Sequence, residues 1–374
     1  VLALLIFIVL GVLVLIEREL YVERSVEPIE VTLSFAPGRV ATGEAAELLI
    51  RVENPGPLPV PWVVVEIDLP EGLHCDAADG RFLRARMGVP YRGGVVRHYP
   101  VRPARRGLYR LHRTHVTYTD PLGLATLDSR VWTPAELLAY PVPTEVALAG
   151  PTRAVIGEIE RRSLYEDPTA FRGVRPYRSG DPMRRMHWPQ TARTGQFMVR
   201  EYATAVDARL HLCLNLATHT PHWSGIDRER LEAVISVGAG LAIAARAAAL
   251  PTGLVVNGVA FEATPVTRLA PGASDRHLAR TLDVLARLAP YPSQTVESLV
   301  DTAWRLPASD TLVFVSAGVP EAWRRSLPDL ARRRDVILFV LAPADEPVPV
   351  LRHTRVVRLP LDPGRAGETR ASGA

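Results

Sequence analysis

From Glu27 to about Tyr140, apolar and polar side chains alternate with a period of two. Val31, Leu33 and Phe35 carry the pattern first, then Leu48, Ile50 and Val52, then Val63, Val65 and Ile67, which stop at Pro70-Glu71-Gly72. Such alternation puts every second side chain on one face of a strand. Turn residues at Pro37-Gly38, Asn54-Pro55-Gly56 and Asp120-Pro121-Leu122-Gly123 punctuate it. The pattern predicts an antiparallel, immunoglobulin-like β-sandwich of roughly six to eight strands over residues 27–145.

From Ala208 the period changes. Leu210, Leu212, Leu214 and Leu216 form an apolar run suited to a buried strand, and Asp227 is placed to cap the next helix. Leu231, Val234, Ile235, Gly238, Leu241 and Ala245 recur at helical spacing. Further strands are expected near Gly253–Val259, Thr311–Ser316 and Val336–Leu341, with helices near Ser274–Leu288, Val296–Leu306 and Pro320–Arg333. Phe261–Leu269 is placed to pair antiparallel with the second of these strands. Alternating strands and helices imply a doubly wound, mainly parallel α/β sheet over residues 206–360, of the von Willebrand factor A type.

The first sixteen residues, VLALLIFIVLGVLVLI, contain no polar side chain. As a helix they span roughly 24 Å, short of the ~30 Å hydrocarbon core. With no basic leader region and no small-residue cleavage site, they read as the second half of a transmembrane helix over residues 1–16. Arg18 and Arg24 favour a cytoplasmic side for the remainder of the chain, and hence a plasma-membrane protein with cytoplasmic soluble domains. The Arg-, Glu- and Ala-bearing stretch Arg228–Leu250 carries too many charges to span. Residues 362–374 are small and polar and are expected to be a mobile tail.

Composition narrows the chemistry. All 44 basic residues are arginine, so Schiff-base and P-loop lysine chemistry is excluded. Against 40 acids the net charge is only +4, too even to name a nucleic-acid partner, and none is expected. Two cysteines, Cys75 and Cys213, make neither a disulfide scaffold nor a zinc ribbon. Cys213 lies within an apolar strand, where a thiol stays neutral and inert. His112 and His115 are three apart, which on a strand puts them on opposite faces and predicts no shared metal. No Gly-x-Ser-x-Gly, His-Glu-x-x-His or phosphate-binding glycine loop occurs, and Glu166 and Asp167 are adjacent and diverge. The reading is of a protein that is not an enzyme and needs no cofactor.

The most unusual stretch is a junction over residues 150–205. Between Arg172 and Tyr202 it carries arginines 172, 175, 178, 184, 185, 193 and 200 against two acids, Asp181 and Glu201. Guanidinium groups are planar donors that grip carboxylates or phosphates at two points. Ser179-Gly180-Asp181-Pro182 reads as a turn. Two roles stay open: a cationic surface for an acidic partner, phosphate or anionic headgroup, or internal ties in which Arg175, Arg184 and Arg193 meet Asp181, Glu201 and backbone carbonyls. The candidate binding residues are Arg175, Tyr177, Gly180, Asp181, Arg184, Arg185, His187, Trp188, Arg193, Arg200 and Glu201. Trp188 reads more as a core anchor than as a stacking platform.

The string GVRPYRSGDPMRRMHWPQTARTGQFMVREY resembles the signature of the bacterial family known as domain of unknown function fifty-eight. Arg106-Gly107-Leu108-Tyr109, Asp120-Pro121-Leu122-Gly123-Leu124 and Tyr165-Glu166-Asp167 extend the resemblance. Pro189 stands where the family usually has lysine, and Met186 replaces its usual isoleucine. The resemblance implies a membrane-anchored adaptor or assembly factor with a sandwich and an A-type domain. It further implies a MoxR-type AAA+ ATPase as partner and, for some members, a transglutaminase-like neighbour. The A-type metal site would take an Asp-x-Ser-x-Ser run after the first strand. The aligned residues are Asn215, Ala217 and His219, and Ser316-Ala317-Gly318 ends the later strand, so no carboxylate is offered to a hard cation and no metal is expected. Asn215 and Thr218 are expected to satisfy the loop backbone instead. A passive envelope scaffold and an anionic phospholipid or nucleic-acid binder are the competing readings.

Overall fold

Side chains that alternate between apolar and polar bury one face of a strand and wet the other, and the N-terminal unit is built on that rule. The computed structural model describes residues 6, 8–12, 14–15, 29–56, 59–119, 126–143, 150–164, 166–204, 209–219, 225–260, 268–343 and 345–361. The chain divides into two compact units, Val1–Pro141 and Val142–Ala374.

In the first unit, β1 (Glu30–Ala36), β3 (Ala46–Asn54), β7 (Gly93–Pro103) and β5 (Leu73–Cys75) form one sheet in that order. The second sheet runs β2 (Arg39–Ala41), β9 (Thr126–Tyr140), β8 (Gly107–Thr119), β4 (Val60–Asp68) and β6 (Phe82–Val89). Every pairing is antiparallel except β2 with β9. Leu48, Ile50 and Val52 from one sheet and Val63, Val65 and Ile67 from the other are fully buried in one apolar core. The unit thus has nine strands among the described residues, more than the six to eight expected. The extra ones, β2 and β5, are three residues long, too short to show a period.

In the second unit, α1 (Gly150–Leu164) precedes a ribbon of β10 (Glu166–Pro176) and β11 (Met198–Thr204), between which lies α2 (Trp188–Thr194). A six-stranded sheet comes next, ordered β15 (Arg268–Gly272), β13 (Thr252–Val256), β12 (Leu210–Asn215), β17 (Thr311–Ser316), β18 (Val336–Ala342) and β19 (Arg355–Pro360). β14 (Gly258–Ala260) and β16 (Leu288–Pro292) make a separate ribbon. The remaining helices are α3 (Arg228–Ala247), α4 (Asp275–Arg287), α5 (Val296–Trp304) and α6 (Glu321–Ala331). Leu212, Leu214, Val313, Val315 and Phe339 pack with α1, α3 and α4, while Cys213, Phe314 and Leu338 pack with α5 and α6. Gly238 on α3 is needed for that approach, since a Cβ there would meet Leu214 Cδ1 at 2.8 Å.

The fold class expected from the sequence is corrected by these findings. Strand residues well outnumber helical ones and are spread over five sheets. Among the described residues, no helix is long and apolar enough to cross a membrane, so the transmembrane helix expected over residues 1–16 is not seen; of these, residues 6, 8–12, 14 and 15 are helical and the rest lie outside the description. Nor does the second unit show the doubly wound von Willebrand factor A plan. Two ribbons stand apart from its large sheet. Apolar runs announce buried strands, but they do not report Pro-bearing, irregularly registered strands such as β10 and β16. The expected strand at Phe261–Leu269 lies mostly outside the described residues, but its last two residues, Arg268 and Leu269, pair antiparallel with Val255 and Leu254 of β13 as expected. The turn at 120–125 and the tail 362–374 also lie outside the described residues.

Candidate functional site

The arginine-rich stretch folds as a ribbon, a turn and a short helix. In the ribbon Val174 faces Arg200, Arg175 faces Val199, and Pro176 faces Met198. Arg175 therefore shares a face with buried Val199, and its guanidinium is turned onto the Asp181 carboxylate: Nη1 donates to Oδ2 and Nη2 to Oδ1, each at 2.7 Å. Oδ2 also accepts from the Arg178 backbone N–H at 2.8 Å. These donors hold the Asp181 carboxyl down to about 2, the Arg175 hydrogen bonds first and the Arg178 amide second. Gly180, at φ +104°, supplies the left-handed backbone that closes the turn.

The segment after the turn is bound to the free edge of β11. A 3-10 turn, Met183–Arg185, leads to buried Met186, which bridges to Val199. The His187 backbone N–H donates to Met198 O at 2.8 Å. His187 then caps α2, its Nδ1 accepting from the Gln190 N–H at 3.1 Å. Gly195, at φ +65°, ends the helix. Thr191 Oγ1 accepts from the Met198 N–H at 3.0 Å and donates to His187 O at 3.1 Å, so helix and strand are one body.

What this body displays is cationic and aromatic. Arg178, Arg184, Arg193 and Arg200 are exposed, and none has a side-chain ion pair among the described residues. Trp188 and Phe197 are each 59% exposed, and Met183 in the preceding 3-10 turn is exposed as well. Tyr177 packs edge-on against Phe197 with centroids 6.4 Å apart, and its N–H donates to Phe197 O. Arg185 and His187 are half-buried. Glu201 lies on β11, but its side chain is outside the described residues.

One of the two open roles thus has an occupant. Arg175 is an internal tie, as one reading had it; Arg184 and Arg193 are not paired among the described residues. Trp188 is not a core anchor. As the first residue of a seven-residue helix that meets the ribbon through Thr191, it is turned outward.

At the carboxyl ends of β12, β13 and β17, Asn215, Asn257 and Ser316 are buried and mutually bonded. Asn215 Nδ2 donates to Ser316 Oγ at 2.9 Å, and Asn257 Nδ2 donates to Asn215 Oδ1 at 2.8 Å. The Leu216 and Ala217 N–H groups donate to Asn257 Oδ1 and Asn215 Oδ1. Thr218 Oγ1 accepts from the Asp227 N–H, and His219 is exposed. Amide and hydroxyl groups saturate one another here, serving the backbone as expected. Among the described residues, no three His, Cys, Asp or Glu side chains group as a metal would need. His112 stacks on Trp132 at 5.5 Å, and His115 meets Asp128 at 3.3 Å.

The ribbon, turn and helix fall inside the stretch matched by a family model. Residues 173–360, just over half of the 374, match the family described as "Protein of unknown function DUF58". The chain belongs to the DUF58 family. The match opens at Gly173, the first residue of the signature string. A relative, the uncharacterized protein YeaD of Bacillus subtilis, is 23% identical over 177 residues, 46% of this chain and 44% of that protein. The alignment thus spans less than half of the curated relative's length. Among solved structures, a non-cellulosomal cohesin from Archaeoglobus fulgidus matches with 13% identity and a TM-score of 0.23, covering 29% of this chain and 91% of that one. The CARDB domain of a Pyrococcus furiosus protein matches with 18% identity and a TM-score of 0.20, covering 30% and 91%. Scores at this level carry no inference about fold or activity.

Two polar clusters in this DUF58 chain have no signal in its sequence. His211 and Asp310, both buried, meet through Nε2 and Oδ2 at 2.9 Å across β12 and the start of β17. Arg334 donates to Ala303 O, Leu306 O and Trp304 O, gathering the carbonyls that end α5. Partners so far apart along the chain leave no local motif.

Proposed function

We propose that this DUF58 protein is a non-catalytic adaptor that holds a protein partner on its arginine-rich face. The observation that carries the reading is the set of exposed guanidinium groups of Arg178, Arg184, Arg193 and Arg200, without ion pairs among the described residues, on the same ribbon, turn and helix as exposed Trp188 and Phe197. Tryptophan, tyrosine and arginine are the side chains that dominate binding energy at protein interfaces. The non-catalytic part is supported by Cys213, whose burial pushes its thiol up to about 12, and by the saturated amide cluster at the strand ends.

The partner in this proposal is a MoxR-type AAA+ ATPase, as the family resemblance implies, and the place is the plasma membrane. Exposed apolar side chains at Ile6, Ile8, Val9 and Leu10 favour that location. The test is co-purification with the ATPase encoded nearest the gene, using Arg184→Glu/Arg193→Glu in the full chain. The variant is expected to lose the ATPase with an unchanged melting temperature. Undiminished co-purification refutes the assignment of the face.

A further inference from the structure

We infer that this face takes an acidic polypeptide segment, one whose carboxylates alternate with apolar side chains. The inference rests on the adaptor reading and adds the chemistry of what is held.

The use of arginine is not itself informative, because the chain has no lysine anywhere. What distinguishes the stretch is density: Arg178, Arg184, Arg193 and Arg200 lie exposed within 23 residues, and none has an ion pair among the described residues. Elsewhere in the unit some exposed arginines are paired, such as Arg324 with Glu321 and Arg332 with Asp329. Others, such as Arg276 and Arg280, have no ion pair among the described residues, but those are scattered. On the ribbon, turn and helix, the one described carboxylate, Asp181, is spent on Arg175 and the Arg178 amide. Four guanidinium groups are left facing solvent, and carboxylates are their complement.

The exposed Trp188, Phe197 and Met183 require more than charge from an occupant. Their apolar surface, on the same ribbon, turn and helix as the cations, matches a segment that brings its own apolar side chains. A polyanion read only through its backbone has no use for them. A net charge of +4 over 374 residues also gives no chain-wide field to gather nucleic acid or an anionic bilayer. The face is preorganised by the Asp181 clamp, the His187 cap and Thr191, so little ordering is required when a segment docks.

The test measures fluorescence anisotropy of a short labelled peptide of alternating glutamate and leucine with the full chain. The comparisons are its glutamine counterpart, labelled single-stranded DNA, and phosphatidylglycerol vesicles. The acidic peptide is expected to bind best, to weaken by about tenfold or more with glutamine in place of glutamate, and to weaken likewise in Arg184→Glu/Arg193→Glu. Trp188→Ala, a surface change, is expected to weaken it too and serves if the charge reversal fails to fold. Equal affinity for the glutamine peptide, tighter binding of DNA or vesicles, or indifference to both variants overturns the inference. Loss of ATPase co-purification in the charge-reversed variant, with no peptide binding by the parent protein, also overturns it while leaving the adaptor reading intact. Peptide binding that the variant loses, in a protein that never co-purifies the ATPase, supports the inference and removes the adaptor reading.

Discussion

His211 sits at the start of β12 with Asp310 on one ring nitrogen and nothing on the other. Nδ1 points at Gly253, where a Cβ would lie only 2.6 Å away, so no water fits between. Burial lowers the His211 pKa, opposed by the hydrogen bond and charge of Asp310, with Arg268 and Arg209 adding to the lowering. A charged ring would need a partner for an Nδ1–H, and none is placed. The ring is therefore neutral, with Nε2–H donating to Asp310. Because the folded value lies below the ordinary 6.5, the contribution to stability is full above that pH and is lost on acidification through it, as the unfolded state takes up a proton. In proton NMR, His211 is expected to show a single Nε2–H tautomer that persists as pH falls through 6.5. Titration of His211 at its ordinary value contradicts the assignment. Chain position alone would not have paired His211 with Asp310.

At the scale of elements, the turn that presents Tyr177 and Arg178 depends on one carboxylate. With its carboxyl at about 2, Asp181 keeps both ties through the neutral range and releases them only as pH falls from the ordinary carboxylate value toward 2. Asp181→Asn removes the charge that makes the grip two-pointed. Amide exchange at Arg178 is expected to quicken by about tenfold or more, with little change in global melting, since the pair lies at the surface. Exchange that is unaltered rejects the clamp. Most elements were legible beforehand: α3 (Arg228–Ala247) begins after Asp227, whose carboxylate accepts from Arg230 N, and β17 spans the residues its apolar run marks. β19, with one buried residue in six, was not, because an arginine-bearing edge strand has no apolar period.

For the whole molecule, each unit owns its apolar cores, so each is expected to unfold as its own calorimetric transition. Phe314 is wholly buried on β17 against Trp323, with ring centroids 5.2 Å apart. Phe314→Ala is expected to destabilise the C-terminal unit by about 3–5 kcal/mol and leave the other transition in place. A shift of both transitions together defeats the idea of separate units. Of the candidate site, the residues were legible but their division was not. The string from Gly173 to Tyr202 marks out the arginines; only folding sorts Arg175 to an internal tie and Arg184 and Arg193 to solvent.

Local rules account for that boundary. Periodicity, caps and turn residues act within a few positions, so strand and helix placement and the family signature could be read along the chain. Sheet membership, the strand order of the large sheet, the outward turn of Trp188 and the burial of His211 with Asp310 depend on groups distant in sequence. Those were settled by which surfaces could be desolvated together, a condition that exists only once the chain has folded.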